Sequence, residues 1–466
     1  MSPSRICWIS TADMALMVDL YELTMADSYL RHGHNERATF DLFVRSLPPE
    51  RAFLVVAGIE QALTYLERMR FDADARDYLA GLNLFSTRFL EYLASFRFSG
   101  DVWATPEGTI NFPPAPLLTV TAPRVEAQIV ETFLLNVINS QTMWASKAAR
   151  IVLAAQGRAV VDFSPRRDHG ADAALYVARA SYLAGCVGTS NVLAGMRYGI
   201  PVYGTMAHAY VMSFLSELES FRAYACDFPH NTTLLVDTYD TLEGVQNAIV
   251  VGHEMAARGE QLRGIRLDSG DLVALSQAAR QMLDEAGLPG VKILASGDLN
   301  EVKITDLLAH GARIDIFGVG TELGVSMDVP ALGGVYKLVE DEAGYHIKLS
   351  AGKATLPGRK QVFRHARRDG RFAFDVISLA DEAPPAAADS VQPLLVKVME
   401  NGRILRDTTL AEARQRAADQ LAHLPREFHA LSPSNHYPVF LSSGLAALRT
   451  RMYVEAGKPP PTEQAR

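Results

Sequence analysis

From residue 158 onward, short apolar runs alternate with amphipathic segments of helical length, and this alternation limits the possible folds more than any other feature. Each run ends in a polar or glycine-rich turn. The runs are residues 160–163, 201–203, 234–236, 265–267, 292–295 and 314–317. Repeated strand–helix units build parallel sheets. The sequence therefore predicts an α/β fold with an irregular, TIM-like parallel barrel, irregular because eight units cannot be counted.

The rest of the chain does not follow this rhythm and predicts a second, smaller domain. Before residue 158 we expect helices and short strands interrupted by prolines, and after residue 330 mostly strands, followed by helices. The expected segments are a disordered tail at 1–13, an N-terminal α/β domain with a connecting helix at 14–157, the barrel with the active site at 158–330, and residues 331–466, which complete the smaller domain.

Charge and cysteine content narrow the choice of partners. The formal net charge of −8 over 466 residues gives no overall attraction to nucleic acid or to an anionic membrane, and no apolar run approaches the roughly 20 residues of a membrane span. The three cysteines, Cys7, Cys186 and Cys226, are far apart and form no CxxC pair. We therefore expect no disulfide framework, no thiolate zinc site, and a cytoplasmic protein that would bind an anionic substrate through local groups.

Polar and glycine residues follow the predicted strands, where a barrel has its active-site mouth. They are Asp237, Asp268, Ser296, Gly318 and Thr321. Taken singly, an Asp, Ser or Thr in front of a helix is commonly a cap for its free N–H groups. As a set, they are better explained by a shared site, although capping and binding are compatible.

The Gly-Val-Gly-Thr sequence at 318–321 predicts a loop that binds phosphate through backbone N–H groups, helped by the dipole of the following helix. A dinucleotide site is disfavoured because Leu323 stands where the GxGxxG pattern has its third glycine. Together with Ser296 and Gly297, the loop fits a sugar phosphate better.

Three arginines are candidates for binding an anion. Arg166 and Arg167 follow a strand directly, so they face either an anion or solvent. Arg266 alternates with Ile265 and Leu267, which points it to the opposite side of its strand. Its partner is a ligand anion, or else Asp237 or Asp268.

His208 follows the run at 201–203 and the Gly204–Thr205 turn, so it is expected at the carboxyl end of a strand. Residues 207–224 contain neither Pro nor Gly, and they are expected to form one helix. The alternative to a functional role is a histidine satisfied by a backbone partner.

Several short motifs, in their order along the chain, resemble the nicotinate phosphoribosyltransferases. They are Val-Asp-Leu-Tyr at 18–21, the paired arginines at 166–167, Gly-Thr-x-Ala-His at 204–208, Arg-x-Asp-Ser-Gly-Asp at 266–271 and Gly-x-Gly-Thr at 318–321. The resemblance extends from residue 17 to about residue 450. Pro165 departs from it, since a leucine commonly precedes the arginine pair.

The resemblance implies that nicotinate and phosphoribosyl diphosphate give nicotinate mononucleotide and diphosphate, with ATP phosphorylating His208, in NAD salvage. It implies Mg²⁺ as cofactor, with Asp268 as the candidate ligand, and a homodimer in which each site borrows Tyr21 from the partner subunit. The nicotinate-binding residues would be Tyr21, Phe163, Thr205 and Arg266. The phosphoribosyl diphosphate would be held by Arg166, Arg167, Asp268, Ser296, Gly297, Gly318, Gly320 and Thr321.

Three alternatives remain open from the residues. A nicotinamide or quinolinate phosphoribosyltransferase would share much of the pattern. An aldolase or isomerase on a phosphate-binding barrel would usually place a catalytic lysine or paired glutamates at strand ends, and no lysine ends any of the six runs. A metabolite-binding protein without catalysis is the third.

Overall fold

The computed structural model describes residues 13–350, 353–384, 390–431 and 435–459. Most of the predicted tail at 1–13 and Cys7 lie outside these residues; Asp13 begins a 3-10 helix, Asp13–Leu16. The α-helices are α1 (Leu20–His32), α2 (Ile59–Arg68), α3 (Ala73–Gly81), α4 (Thr87–Ala94), α5 (Arg124–Ile129), α6 (Glu131–Ala154), α7 (Ala171–Leu183), α8 (Val192–Tyr198), α9 (His208–Met212), α10 (Glu217–Asp227), α11 (Thr241–Ala257), α12 (Leu272–Glu285), α13 (Glu301–Ala309), α14 (Thr321–Gly324), α15 (Leu410–His423) and α16 (Ser443–Glu455).

The strands are short, and several have only two residues. They are β1 (Arg37–Val44), β2 (Leu54–Val55), β3 (Asp101–Ala104), β4 (Ile110–Asn111), β5 (Pro116–Pro123), β6 (Ala159–Asp162), β7 (Gly188–Thr189), β8 (Thr233–Leu235), β9 (Gly264–Leu267), β10 (Lys292–Ala295), β11 (Ile316–Val319), β12 (Gly334–Asp341), β13 (Gly344–Tyr345), β14 (Lys360–Ala366), β15 (Phe372–Leu379), β16 (Ser390–Pro393), β17 (Val396–Glu400), β18 (Arg403–Ile404) and β19 (Val439–Leu441).

The chain divides into two compact units, and the first takes its described residues from Met1–Met143 and Ala331–Arg466. Its main sheet is antiparallel, with strand order β13-β12-β1-β5-β3-β17-β18. β1 is central and is buried from Ala38 to Val44. Residue Asp41 within it pairs with buried Lys360 at 2.8 Å, which compensates the charge of both groups.

The second unit, Trp144–Pro330, contains a six-stranded sheet whose strands all run parallel, in the order β7-β6-β11-β10-β9-β8. Helices α11 and α12 cover it with apolar side chains such as Val245 and Ala279, which join a core that includes Ile265 and Ile293. Because all the strands are parallel, their carboxyl ends lie along one edge, as the sequence predicted.

The predicted barrel is not confirmed, because no closed barrel is found among the described residues. The sheet ends at β7 and β8, and the predicted strand at 201–203 contributes only a single bridge, between Thr189 and Val202. A cavity of about 630 Å³ is lined by Val202, by Thr233 of β8, and by Tyr224 and Phe228. It is also lined by Val161 of β6, Leu294 of β10 and Ile316 of β11, so the cavity extends along the sheet.

Other expectations for this unit need correction as well. β7 was missed because Gly188–Thr189 has two residues and no large apolar side chain. The helix expected over 207–224 is two helices, α9 and α10. Ser216 separates them, since its side chain accepts a hydrogen bond from the Glu219 N–H at 3.2 Å and caps α10. Among the described residues, no helix has both the length and the apolarity that a membrane crossing requires.

Candidate active site

The residues at the carboxyl ends of the strands are not the helix caps that they could have been. Helix α11 is capped by Asp240, α12 by Asp271 and α13 by Asn300, each through its side chain. Asp237, Asp268 and Ser296 therefore lie upstream of the caps, in the turns between strand and helix. Their side chains are available for other contacts.

Arg266 of β9 connects three of these turns. Its Nε donates to Ser296 Oγ at 2.8 Å, and its Nη1 donates to Thr205 Oγ1 at 3.0 Å. Its Nη2 donates to Asp268 Oδ1 at 2.6 Å. Of the two carboxylates considered from sequence, Asp268 is thus the partner. One guanidinium group thereby fixes the relative positions of Thr205, Asp268 and Ser296.

Asp268 is held ionised and in a fixed position. Burial opposes its ionisation, but hydrogen bonding from Ser296 and the charge of Arg266 outweigh burial and lower the pKa of the Asp268 carboxyl. Asp237 fixes the backbone beneath it: its Oδ2 accepts from the Asp268 N–H at 2.9 Å and from Ser269 Oγ at 2.6 Å. The site therefore contains a permanent negative charge beside a permanent positive one.

Phe163 follows β6 and packs against the same arginine. The centroid of its ring lies 5.7 Å from Arg266 Cζ. Gly318 of β11 is required here, because a Cβ at that position would come within 2.5 Å of the Phe163 ring. The close approach leaves a flat aromatic surface facing the site.

Two small cavities adjoin Arg266. The one of about 220 Å³ is lined by Phe163, Pro165, Arg166, Ser190, Gly204, Thr205 and Arg266. The one of about 290 Å³ is lined by Phe163, Arg166, Arg167, Arg266, Asp268, Ser296, Gly297, Asp298, Gly318, Gly320 and Thr321. The first has two arginines, two hydroxyl side chains and two apolar side chains, and the second has three arginines and three glycines. The arginines and glycines of the second cavity suit an anion such as a phosphate.

The backbone of the larger cavity is shaped for close contact. Gly297 has φ +96°, and a Cβ on it would meet the Asp268 carbonyl oxygen at 2.2 Å. Asp298 has φ +44°, a conformation uncommon for a residue with a side chain. Helix α14, which follows the Gly-Val-Gly-Thr loop, has only four residues, so its dipole is weaker than that of the longer helix expected from the sequence.

Arg166 and Arg167 lie exposed on the loop after β6 and line the cavities. The base of this loop is buried and acidic: Ser164 donates from its N–H and its hydroxyl to Asp162 Oδ1, at 2.9 and 2.6 Å. Ser164 Oγ also lies 3.1 Å from Asp168 Oδ2. Burial, and then the charge of Asp162, raise the pKa of Asp168 to about 7.

His208 is the first residue of α9, and its side chain is partly exposed. Its Nδ1 lies 3.1 Å from Thr238 Oγ1, and its Nε2 lies 3.8 Å from Asp268 Oδ2. The hydrogen-bond partner of His208 is thus the hydroxyl of a side chain, whereas the alternative interpretation expected a backbone group. Orientation by Thr238 leaves Nε2 on the side of the cavity that Asp268 lines.

The structure brings together every predicted site residue of the second unit, either as cavity lining or, for His208, beside Asp268. Tyr21 belongs to the first unit, on α1 with its side chain about half exposed, and its role stays a prediction. Sequence reasoning did not assign Ser190, Thr238 or Asp298 to the site. Of these three residues, only Asp298 lies in a sequence pattern that could have indicated a site residue, the Ser-Gly-Asp turn. Ser190 follows β7, a strand that the sequence did not predict.

An open parallel sheet with an arginine-rich, glycine-lined cavity at its carboxyl edge defines an α/β protein with a site for anionic small molecules. Family models for nicotinate phosphoribosyltransferase (NAPRTase) match three stretches: the N-terminal domain at residues 16–139, the NAPRTase family model at 158–339 and the C-terminal domain at 386–449.

Individual proteins agree with these matches. The chain is 48% identical over 441 residues to nicotinate phosphoribosyltransferase pncB2 of Mycobacterium tuberculosis, covering 94% of both chains. It is 41% identical to the nicotinate phosphoribosyltransferase of Bacillus subtilis, covering 92% of this chain and 93% of that one. The crystal structure of human nicotinic acid phosphoribosyltransferase superposes with a TM-score of 0.83 at 30% identity, covering 92% of this chain and 98% of the human one. The chain belongs to the nicotinate phosphoribosyltransferase family, and the family named from its sequence motifs is confirmed.

Proposed function

We propose that the chain joins nicotinate to phosphoribosyl diphosphate, forming nicotinate mononucleotide and diphosphate, in an ATP-dependent reaction of the ligase class. The observation that carries the proposal is the position of Arg266 between the two cavities, in contact with Thr205, Asp268 and Ser296. Family membership supplies the reaction, and the cavities supply a reason for each substrate.

Nicotinate fits the smaller cavity. Its pyridine ring would lie against Phe163, and its carboxylate would accept hydrogen bonds from Arg266 and Thr205, which are already aligned side by side at 3.0 Å. A carboxylate distinguishes nicotinate from nicotinamide, because an amide offers an arginine a weaker, uncharged acceptor. A cavity lined by the guanidinium group of Arg266 therefore favours nicotinate over nicotinamide as the substrate.

Phosphoribosyl diphosphate fits the larger cavity, where Arg166, Arg167 and the glycine loops would hold its phosphates. In the reaction, the bond between ribose C1 and the diphosphate oxygen breaks and a bond from C1 to the pyridine nitrogen forms. The nitrogen carries a free electron pair, so no general base is needed. The residues contribute mainly by alignment and by stabilising charge.

Mg²⁺ remains a proposal. No group of three or more metal-ligating side chains is found in the described residues, which fits an ion bound largely by substrate oxygens. Asp268, with Oδ2 on the cavity side, would hold it. When bound, it would neutralise charge on the departing diphosphate.

For ATP coupling we propose phosphorylation of His208 at Nε2, with Nδ1 held by Thr238. The phosphoryl group would place new negative charge beside the arginine-lined cavity and order its basic loop.

The proposal also includes a cytoplasmic homodimer with Tyr21 reaching the partner subunit's site. Large exposed apolar side chains of the second unit, such as Met196 and Leu215, support an interface.

One assay tests the proposal directly. Release of diphosphate is followed with nicotinate, nicotinamide or quinolinate as acceptor, with and without ATP. We expect release with nicotinate, stimulation by ATP, and little with the other two acceptors. Preference for nicotinamide or quinolinate would move the chain to one of the alternative transferases, and no release with any acceptor would leave a binding protein.

A further inference from the structure

A buried lysine pairs with carboxylates next to the loops of the larger cavity and has no part in the reaction described above. Lys147, on α6, has a side chain only 1% exposed. Its Nζ lies 2.7 Å from Glu301 Oε2 and 2.9 Å from Asp328 Oδ1, with Glu322 Oε2 at 3.9 Å. A single ammonium group therefore holds three carboxylates.

These carboxylates flank the two loops that line the larger cavity. Glu301 begins α13, three residues after Asp298 of the Ser-Gly-Asp turn. Glu322 directly follows Thr321 of the Gly-Val-Gly-Thr loop, and Asp328 lies a few residues further on. The ammonium thus ties the flank of one loop to the flank of the other.

General stability is a poor reason for this arrangement. Buried ion pairs lose their hydration, and apolar side chains of similar volume often stabilise a core as well or better. Arg150 Nε lies 3.1 Å from Glu301 Oε1, so Glu301 is held by a second buried cation. A buried charged group such as Lys147 is useful where it fixes the distance between the segments that carry its partners.

We infer that Lys147 is a positioning residue for phosphoribosyl diphosphate: it sets the distance between the two glycine-containing loops that line the larger cavity. This inference rests on the proposed function, which assigns that cavity to phosphoribosyl diphosphate. Lys147 would act only through Glu301, Glu322 and Asp328, and it would not touch the substrate.

The experiment compares Lys147→Met, Lys147→Arg and Asp328→Asn with wild type. A misplacement of about 1 Å can cost roughly 100-fold, so we expect Lys147→Met to raise the KM for phosphoribosyl diphosphate roughly 10- to 100-fold. The KM for nicotinate should change much less, because Arg266, although hydrogen-bonded to Ser296 of one of these loops, is also held by Thr205 and Asp268. Lys147→Arg keeps the charge and should restore much of the binding.

Asp328→Asn is the variant to use if Lys147→Met does not fold. It leaves the Lys147–Glu301 pair in place, and Asp328 is partly exposed. It should raise the same KM by a smaller factor. The matched control is Arg364→Met in the first unit, which breaks the buried Arg364–Asp375 pair of 2.7 Å. We expect it to lower Tm and to leave the KM for phosphoribosyl diphosphate unchanged.

Thr321→Ala separates this inference from the proposed function, because Thr321 lines the cavity itself. If Thr321→Ala raises the KM for phosphoribosyl diphosphate but the folded Lys147 and Asp328 variants lower only Tm, the positioning role is wrong. If Thr321→Ala leaves that KM unchanged as well, the assignment of the cavity fails. A selective rise in that KM for the Lys147 and Asp328 variants, absent in the control, supports the inference.

Discussion

Arg266 Nη1 donates a hydrogen bond of 3.0 Å to Thr205 Oγ1, although the two residues are 61 positions apart in the chain. Thr205 belongs to the Gly-Thr-x-Ala-His sequence and Arg266 to the Arg-x-Asp-Ser-Gly-Asp sequence. Two motifs that look independent in the sequence are therefore parts of one binding site.

Arg266→Lys should raise the KM for nicotinate at least roughly tenfold, because a lysine cannot make the parallel hydrogen bonds of a guanidinium, and hydrogen bonds to charged groups contribute about 1.5–3 kcal/mol each. Selectivity over nicotinamide should fall with it. Steady-state kinetics with both acceptors measure this. The control is Arg222→Lys, since Arg222 is an exposed arginine of the same unit that pairs with Glu254. An unchanged KM in folded Arg266→Lys would move the carboxylate site, most plausibly to Arg166 or Arg167.

His208→Ala should abolish nicotinate-dependent ATP hydrolysis and leave a slow, ATP-independent transfer, because the proposed phosphohistidine would couple ATP to the reaction without touching the ribose. Incubation with γ-labelled ATP should give wild type an acid-labile, base-stable label that the variant lacks. His310→Ala, at an exposed histidine on the surface, should keep the label. Undiminished labelling of His208→Ala would show that another residue carries the phosphoryl group.

Asp168→Asn should change how stability depends on pH. The pKa of Asp168 is raised from 3.8 to about 7, so the folded chain keeps a proton that the unfolded chain releases at lower pH. The folded state then binds more protons, and the contribution of Asp168 to the free energy of unfolding falls as pH rises from about 4 to about 7 and is constant above.

In Asp168→Asn, the free energy of unfolding should lack the contribution that falls between about pH 4 and about pH 7 in wild type. Denaturant unfolding of both proteins between pH 4 and pH 8 gives the difference. Raised carboxyls that do not couple to Asp168, such as Glu22, act equally in both proteins and cancel. Asp381→Asn, at a carboxylate that is 95% exposed, should follow wild type. Parallel pH curves for wild type and Asp168→Asn would contradict the prediction.

Tyr21→Ala and Arg266→Ala should each be nearly inactive, yet active when combined in one dimer. If each site takes Tyr21 from one subunit and Arg266 from the other, a heterodimer carries both lesions in one site and leaves the second intact. Co-expression with two different tags isolates the heterodimer, and its activity should approach half that of wild type. Verified heterodimers as inactive as their parents would rule out the shared site.

Much of the second unit could be predicted because its information is local. Apolar runs at 160–163, 234–236, 265–267 and 292–295 predicted β6, β8, β9 and β10 to within a residue at each end, since burial on both faces demands continuous apolar sequence. Their polar ends predicted the side of the sheet on which a site would form. The motifs then gave the family.

What failed was decided by contacts between distant residues. Gly188–Thr189 forms a strand only because β6 is there to pair with it, and residues 201–203 form only a bridge although they look like a strand. The break in the helix expected over 207–224 is a local effect instead: α9 ends at Met212, and Ser216 caps the start of α10. Propensity is a weak guide wherever pairing or capping outweighs it.

The sequence by itself determined the family, the parallel order of strand and helix, and the residue types around an anionic substrate, because these depend on composition and spacing along the chain. Only the tertiary structure decided that the sheet stays open between β7 and β8, that Asp268 and not Asp237 pairs with Arg266, and that Asp237, Asp268 and Ser296 are not helix caps. Each of these depends on which atoms come into contact in the folded chain. Asp237 and Asp268 are the same residue type and cannot be told apart in the sequence, but in the structure Asp268 lies 2.6 Å from the Arg266 guanidinium.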